Sequence, residues 1–113
     1  MFERDCTLYL ADILDSGQAI LSYVKNLDFE QFSTDRMRHA AVIREFEVIG
    51  EAVGKLPESL KEKYPDVPWR EIKDFRNLPI HQYFGVDLRI VWNTVHQDLP
   101  ALLSATSSIL HGE

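Results

Sequence analysis

From Cys6 to Val24, apolar and small residues recur in steps of three and four: Cys6, Leu10, Ile13, Leu14, Gly17, Leu21 and Val24. That spacing lines one face of an α-helix and excludes the alternation of a half-buried strand. No period-two pattern competes elsewhere, so the chain must bury its apolar residues by packing helix on helix. The first helix is predicted over residues 2–25 and ends at Asn26-Leu27. Asp28, with Gln31 three residues on, has the form of a capping box for a short turn. A second long helix is expected from Ser33 or Thr34 to Gly54. Its stripe of Val42, Phe46, Ile49, Val53 and Leu56, and a second stripe of Met37, Ala41, Val48 and Ala52, make it pack on two sides. Gly54 and Pro57 supply its stop, and Gly50 offers a close helix approach.

Residues 57–68 read as a loop with one helical turn at 58–63. Pro68 suits the first turn of a third helix, where its missing amide hydrogen costs nothing. That helix carries Trp69, Ile72 and Phe75. Residues 84–87 (FGVD) read as a turn, with Asp87 as N-cap of the last helix. Leu88, Val91, Trp92, Val95, Leu99, Leu102, Thr106 and Ile109 give this helix its stripe, and Pro100 must kink or restart it. The expected fold is all-α: a four- to five-helix up-and-down bundle with short connections, forming one domain over residues 1–113.

A chain of 113 residues with 45% hydrophobic residues holds one core, not two. The net charge of −6 argues against a general nucleic-acid binder, but its distribution matters more than its total. Residues 1–35 carry seven acidic and two basic residues, whereas residues 61–81 carry five basic and four acidic. Local phosphate binding near Arg76 therefore stays open, while broad wrapping of a polyanion does not. The single cysteine, Cys6, excludes an intrachain disulfide, and no spacing suggests a metal or cofactor site. Cys6 reads as a buried small hydrophobe, and Trp69 and Trp92 as core anchors. No apolar run reaches the roughly 18–20 residues of a membrane span. The opening MFERDC lacks a signal-peptide core, so a cytoplasmic protein is expected.

One segment is harder to explain by folding alone. Residues 76–83 (RNLPIHQY) gather Arg76, Asn77, His81, Gln82 and Tyr83 at the end of the third helix. Arginine presents a fork of donors matched to phosphate. Histidine suits proton transfer near neutral pH. Metal-independent cleavage of RNA needs little more: a base for the 2′-hydroxyl proton, an acid for the leaving oxygen, and a cation for the charged phosphorus centre. On a straight α-helix, residues five apart diverge by about 140°, so Arg76 and His81 point apart while Arg76 and Tyr83 share a face. Either Pro79 bends the helix between them, or two copies meet across a twofold axis and bring Arg76 of one chain to His81 of the other. The dimer is favoured, because one chain supplies a single histidine here and two proton-transfer roles need filling.

This run, continued as RNLPIHQYFGVDLRIVW, resembles the HEPN-domain ribonuclease toxins of the HepT-like group. They share an Arg, four residues, His, one residue, Tyr pattern that Arg76, His81 and Tyr83 match position by position, with Asn77 at the usual polar position. The resemblance extends to AVIREFEVIGEAVGKLP and VPWREI upstream and to NTVHQDLP downstream. It departs at Pro79, where the family more often has an aliphatic or small residue. The resemblance implies a homodimer with a composite cleft, metal-independent endoribonuclease activity on RNA, catalytic roles for Arg76 and His81, and support from Asn77 and Tyr83. It also implies a partner, a minimal nucleotidyltransferase antitoxin that silences the toxin by AMP transfer to Tyr83. No cofactor is implied.

Each residue also has a plainer reading. Arg76 could pair with Asp74 or Glu71 on the surface, His81 could be an interface histidine, and Tyr83 an interface anchor. Arg44, Glu47 and Glu51 read either as a solvated ion-pair row or as a shell that orients Arg76 or His81. His39, His96 and His111 read as surface residues. The competing function is a non-catalytic helical dimer that docks a nucleotidyltransferase and presents Tyr83 or a nucleotide to it.

Overall fold

A computed structural model describes the backbone of residues 4–77 and 87–112, and the side chains of residues 6–75 and 87–112. Seven α-helices follow one another among these residues, with no strand: α1 (Arg4–Val24), α2 (Phe29–Thr34), α3 (Arg36–Gly54), α4 (Glu58–Lys61), α5 (Trp69–Lys73), α6 (Leu88–Gln97) and α7 (Leu99–Leu110). A 3-10 helix (Asp74–Asn77) continues α5. Taking α4 as the expected turn, α5 with its 3-10 extension as one unit, and α6–α7 as one segment interrupted at Asp98, five units remain, and the all-α bundle expected from periodicity is what forms.

Helices α1 and α3 pack along each other, with α7 on α1 and α5 on α3. Leu10, Ile13, Ile20, Val42, Phe46, Ile49, Val53, Ile72, Leu99 and Leu102 share one buried cluster. On α1 the buried arc is centred between Ile13 and Ile20, with Cys6 buried at its start. Leu21, expected in the stripe, is 43% exposed, and Leu14 is half-buried. At 100° per residue both fall at the edge of that arc, which a simple three-four count does not detect. The second stripe of α3 also fails at its start: Met37 is 84% exposed, Ala41 and Val48 are half-buried, and only Ala52 is buried.

A close approach is made at Gly17, where an added Cβ would collide with the Leu103 side chain of α7, and Gly50 is buried on α3. Asn26, at φ 64°, turns the chain out of α1 in the left-handed region that asparagine tolerates. Asp28 then caps α2 as predicted. Its carboxylate accepts from the Gln31 amide at 2.8 Å, and the Gln31 side chain accepts from the Asp28 amide at 2.9 Å.

Helix α3 begins later than expected. The Ser33 and Thr34 hydroxyls bond back to the Glu30 carbonyl and close α2, leaving Asp35 to cap α3 through the Arg38 amide. Helix α3 ends at Gly54 without a left-handed residue, and Lys55 closes it in right-handed backbone. Tyr23 ties α1 to α3 by donating to Glu45 at 3.0 Å. That hydrogen bond, the Glu45 charge and burial push the Tyr23 phenol above its usual value. Asp98, at the junction of α6 and α7, is pushed up by burial and then by the Glu71 charge. Pro100 sits in the first turn of α7, so it restarts the helix there. No helix among the described residues is long and apolar enough to cross a membrane.

Candidate functional site

The segment that carries the motif is built from Pro68 onward. Pro68 opens α5, and the Trp69 indole donates to the carbonyls of Tyr64 at 3.0 Å and Lys61 at 3.2 Å, fixing α5 to the preceding loop. After Lys73 the helix tightens into the 3-10 form. Ile72 and Phe75 face α3, and both are buried. The Phe75 ring stacks on Phe46 with centroids 4.7 Å apart and planes 24° apart. Such a pair adds about 0.5–1.5 kcal/mol beyond its burial. The backbone of Arg76 and Asn77 is therefore held next to a residue fixed on the middle of α3. The chain has already left α-helical pitch at Asp74, so Arg76 and Asn77 stand in a 3-10 turn and not in the straight α-helix from which the Arg76–His81 angle was projected. His81, Tyr83 and Pro79 lie outside the described residues, as does the expected turn before Asp87. Asp87 itself caps α6, accepting from the Arg89 amide at 2.9 Å.

The charged row on α3 divides into two behaviours. Arg44 and Glu51 are exposed, and Glu51 pairs with Lys55 at 3.7 Å. Glu47 is different: its side chain is 12% exposed, its Oε1 lies 3.6 Å from Arg44, and that oxygen is buried without a hydrogen bond. These residues, with Tyr9, Asp12, Val48 and Ala52, line an open cleft of about 420 Å³ between α1 and α3. Three carboxylates against one guanidinium make it a poor seat for a phosphate.

A second cluster, outside the motif, was not singled out by sequence reasoning. Where α2 meets α6, Phe32 is fully buried and packs against Trp92 (5.2 Å) and His39 (6.1 Å). Trp92 and Phe29 are half-buried and meet edge to face at 6.1 Å. The Arg89 guanidinium lies 3.7 Å over the Phe29 ring, and the His96 ring lies 4.3 Å from Trp92. His96 Nδ1 is 2.8 Å from the Trp92 carbonyl oxygen, which fixes the imidazole beside the indole. Trp92 is thus part of a surface stack and not only a core anchor, and His39 is half-buried where a surface residue was expected. The signal was present: Arg89, Trp92 and His96 are three and four residues apart, one stripe on α6.

The model of the "Ribonuclease HepT-like" family matches residues 13–109. A Thermococcus cleftensis protein named "Probable ribonuclease HepT" is 43% identical over 94 residues, covering 83% of this chain and 86% of the relative. A Methanocaldococcus jannaschii protein named as a "Putative RNase" is 40% identical over 110 residues, covering 97% of this chain and 91% of the relative. A Caldanaerobacter subterraneus protein with the same style of name is 41% identical over 105 residues, covering 93% and 94%. No solved structure matches. The matched region contains α3, the 3-10 helix and the whole of residues 76–83, and on that extent the chain belongs to the HepT-like ribonuclease family.

Proposed function

We propose that this chain is the toxin of a cytoplasmic toxin–antitoxin pair, a metal-independent endoribonuclease that acts as a homodimer. The observation that carries this reading is the family match across residues 13–109, which includes every residue of the Arg76–Tyr83 segment. The reaction follows from the side chains of that segment. A His81 imidazole takes the proton from a 2′-hydroxyl, and the freed oxygen attacks the adjacent phosphorus. The bond from phosphorus to the 5′-oxygen breaks, that oxygen takes up a proton, and the products are a cyclic phosphate and a 5′-hydroxyl. Arg76 offsets the charge that builds on the phosphoryl oxygens. Asn77 and Tyr83 hold the phosphate or a neighbouring hydroxyl.

Two protein copies supply two histidines and two arginines to one cleft, which meets the need for both a base and an acid. A nucleotidyltransferase antitoxin silences the site by moving AMP from ATP onto the Tyr83 hydroxyl: the new O–P bond replaces the bond between the α- and β-phosphates, and pyrophosphate and the phenol proton leave. The added phosphate competes with RNA for Arg76, and its bulk obstructs the cleft. The test is RNA cleavage by purified protein in EDTA, beside His81→Ala. The wild type cuts and the variant is slower by about 10²–10⁴-fold, the usual worth of one acid–base group. Equal rates would remove His81 from the mechanism.

A second reading is supported by the net charge of −6: a non-catalytic dimer that serves as partner and substrate-binding subunit of the nucleotidyltransferase. It predicts an AMP-sized mass gain that is lost in Tyr83→Phe, together with no RNA cleavage by the unmodified protein.

A further inference from the structure

We propose that the Arg89–Phe29–Trp92–His96 stack at the α2–α6 end is a single-stranded RNA surface, on which nucleobases next to the cleavage point are held by stacking. The inference deepens the ribonuclease reading and rests on it. The first argument is chemical. Sequence-independent binding of single strands combines cationic groups with aromatic faces, because every base has a π-face and every nucleotide a phosphate. Here a guanidinium lies 3.7 Å over one ring, an imidazole lies 4.3 Å from another, and both Arg89 and His96 are exposed. The planar groups are already ordered by their neighbours, so little side-chain freedom remains to be lost on binding. Three of the carboxylates at this end bond to helix N-termini, Asp28 to α2, Asp35 to α3 and Asp87 to α6, and a fourth, Glu30, lies in the first turn of α2. Their charge is partly offset by the positive ends of those helices.

The second argument is position. Buried Phe32 joins the stack to α3 at His39, and Phe75 joins the motif segment to α3 at Phe46. These two attachment points are seven residues apart, two helical turns on the same face, or about 10 Å along the axis. The stack and the motif segment are thus anchored to one face of the same helix, two turns apart. The α1–α3 cleft is lined by one aromatic ring, Tyr9, and offers no such stack.

The test is fluorescence anisotropy of a labelled single-stranded RNA oligonucleotide, in a His81→Ala background so that the RNA stays whole. Arg89→Gln with His96→Ala should weaken binding about tenfold, within the range for loss of one stacked base. Arg44→Gln, which removes the same charge from the other surface, should bind as the parent does. Titration of a Trp69→Phe protein, whose remaining tryptophan is Trp92, should show an RNA-dependent change in emission that the double variant lacks. Arg89→Lys, which keeps charge and fold but loses the planar group, should fall between the two.

Unchanged RNA affinity in the double variant overturns the surface, including the case in which that variant instead loses affinity for the partner transferase. If the wild type cleaves RNA while the variants bind normally, only the surface is wrong. If the wild type binds RNA through the stack yet never cleaves it, the ribonuclease reading is wrong and the surface stands. If the wild type neither binds nor cleaves, both are overturned.

Discussion

Along the α1–α3 cleft, Asp12, Glu47 and Glu51 face Arg44, with Lys55 paired to Glu51 and set over the Tyr9 ring. At the α2–α6 end, Arg89 and His96 flank Phe29 and Trp92. Both surfaces hold carboxylates beside their cations, so net charge does not separate them; the number of ordered planar groups does. A polyanion responds to the local field, so the sign and the aromatic content of each surface decide where RNA goes. The cleft is a hollow lined by one aromatic ring, Tyr9, whereas the stack is an ordered set of planar groups.

The comparison breaks most severely where both surfaces depend on α3. Phe75→Ala removes the ring that docks the 3-10 helix on Phe46, and a loss of about 3–5 kcal/mol is expected. Chemical denaturation measures it, and cleavage at a temperature where the variant is still folded should fall with it. A loss below about 1 kcal/mol would mean that the motif segment is held by something else.

The next effect separates the surfaces directly. In a salt titration of RNA affinity, Arg89→Gln should reduce the logarithmic slope by about one and Arg44→Gln should leave it unchanged, because only a cation that contacts the strand releases counterions from it. Equal changes in the two would show that RNA feels only the total charge.

Smaller effects test the α1–α3 packing itself. The Tyr23 pKa is raised in the folded state by its bond to Glu45, so that stability is fully present below the ordinary tyrosine value of 10.0 and is lost as the pH rises through the raised one. Tyr23→Phe should cost about 1 kcal/mol at neutral pH, and the gap to wild type should close in alkaline solution. The smallest effect is at Asp98, whose carboxyl pKa is raised by burial and then by Glu71. Its folded form holds a proton more tightly, so wild-type stability falls as the pH rises through that raised value. Asp98→Asn should be the more stable protein at pH 7, by up to about 0.5 kcal/mol, and lose that advantage in acid.

Much of this bundle is written in local signals. The Asp28–Gln31 capping box, the Asp87 cap, the restart at Pro100 and the main stripe of α3 from Val42 to Leu56 all form where residue spacing and cap chemistry place them. What spacing missed depends on distant partners. Leu21 and Met37 repeat at helical intervals, yet no neighbouring helix covers them enough to bury them. The close approach at Gly17 arises because Leu103 of α7 lies against it, about 85 residues away in the chain. The switch to 3-10 geometry before Arg76 had no clear local signal, since Trp69 to Phe75 reads as ordinary helix. At the candidate site, Arg76, Asn77, His81 and Tyr83 are proposed from residue types and the family pattern, and the side chains of all four lie outside the described residues. The α2–α6 stack was legible only in half, because the Arg89–Trp92–His96 stripe lies on one helix while its Phe29 partner comes from another.

The central claim is acid–base cleavage by attack of the 2′-hydroxyl, and the ends of the RNA fragments test it most directly. Purified wild-type protein in EDTA should leave a cyclic phosphate on one fragment and a 5′-hydroxyl on the other. It should fail to cut an oligonucleotide that carries 2′-deoxyribose at the cleavage position, and Arg76→Ala and His81→Ala should be slow on the unmodified strand. Fragments ending in a 5′-phosphate and a 3′-hydroxyl, or cleavage at the deoxy position at the normal rate, would contradict the account.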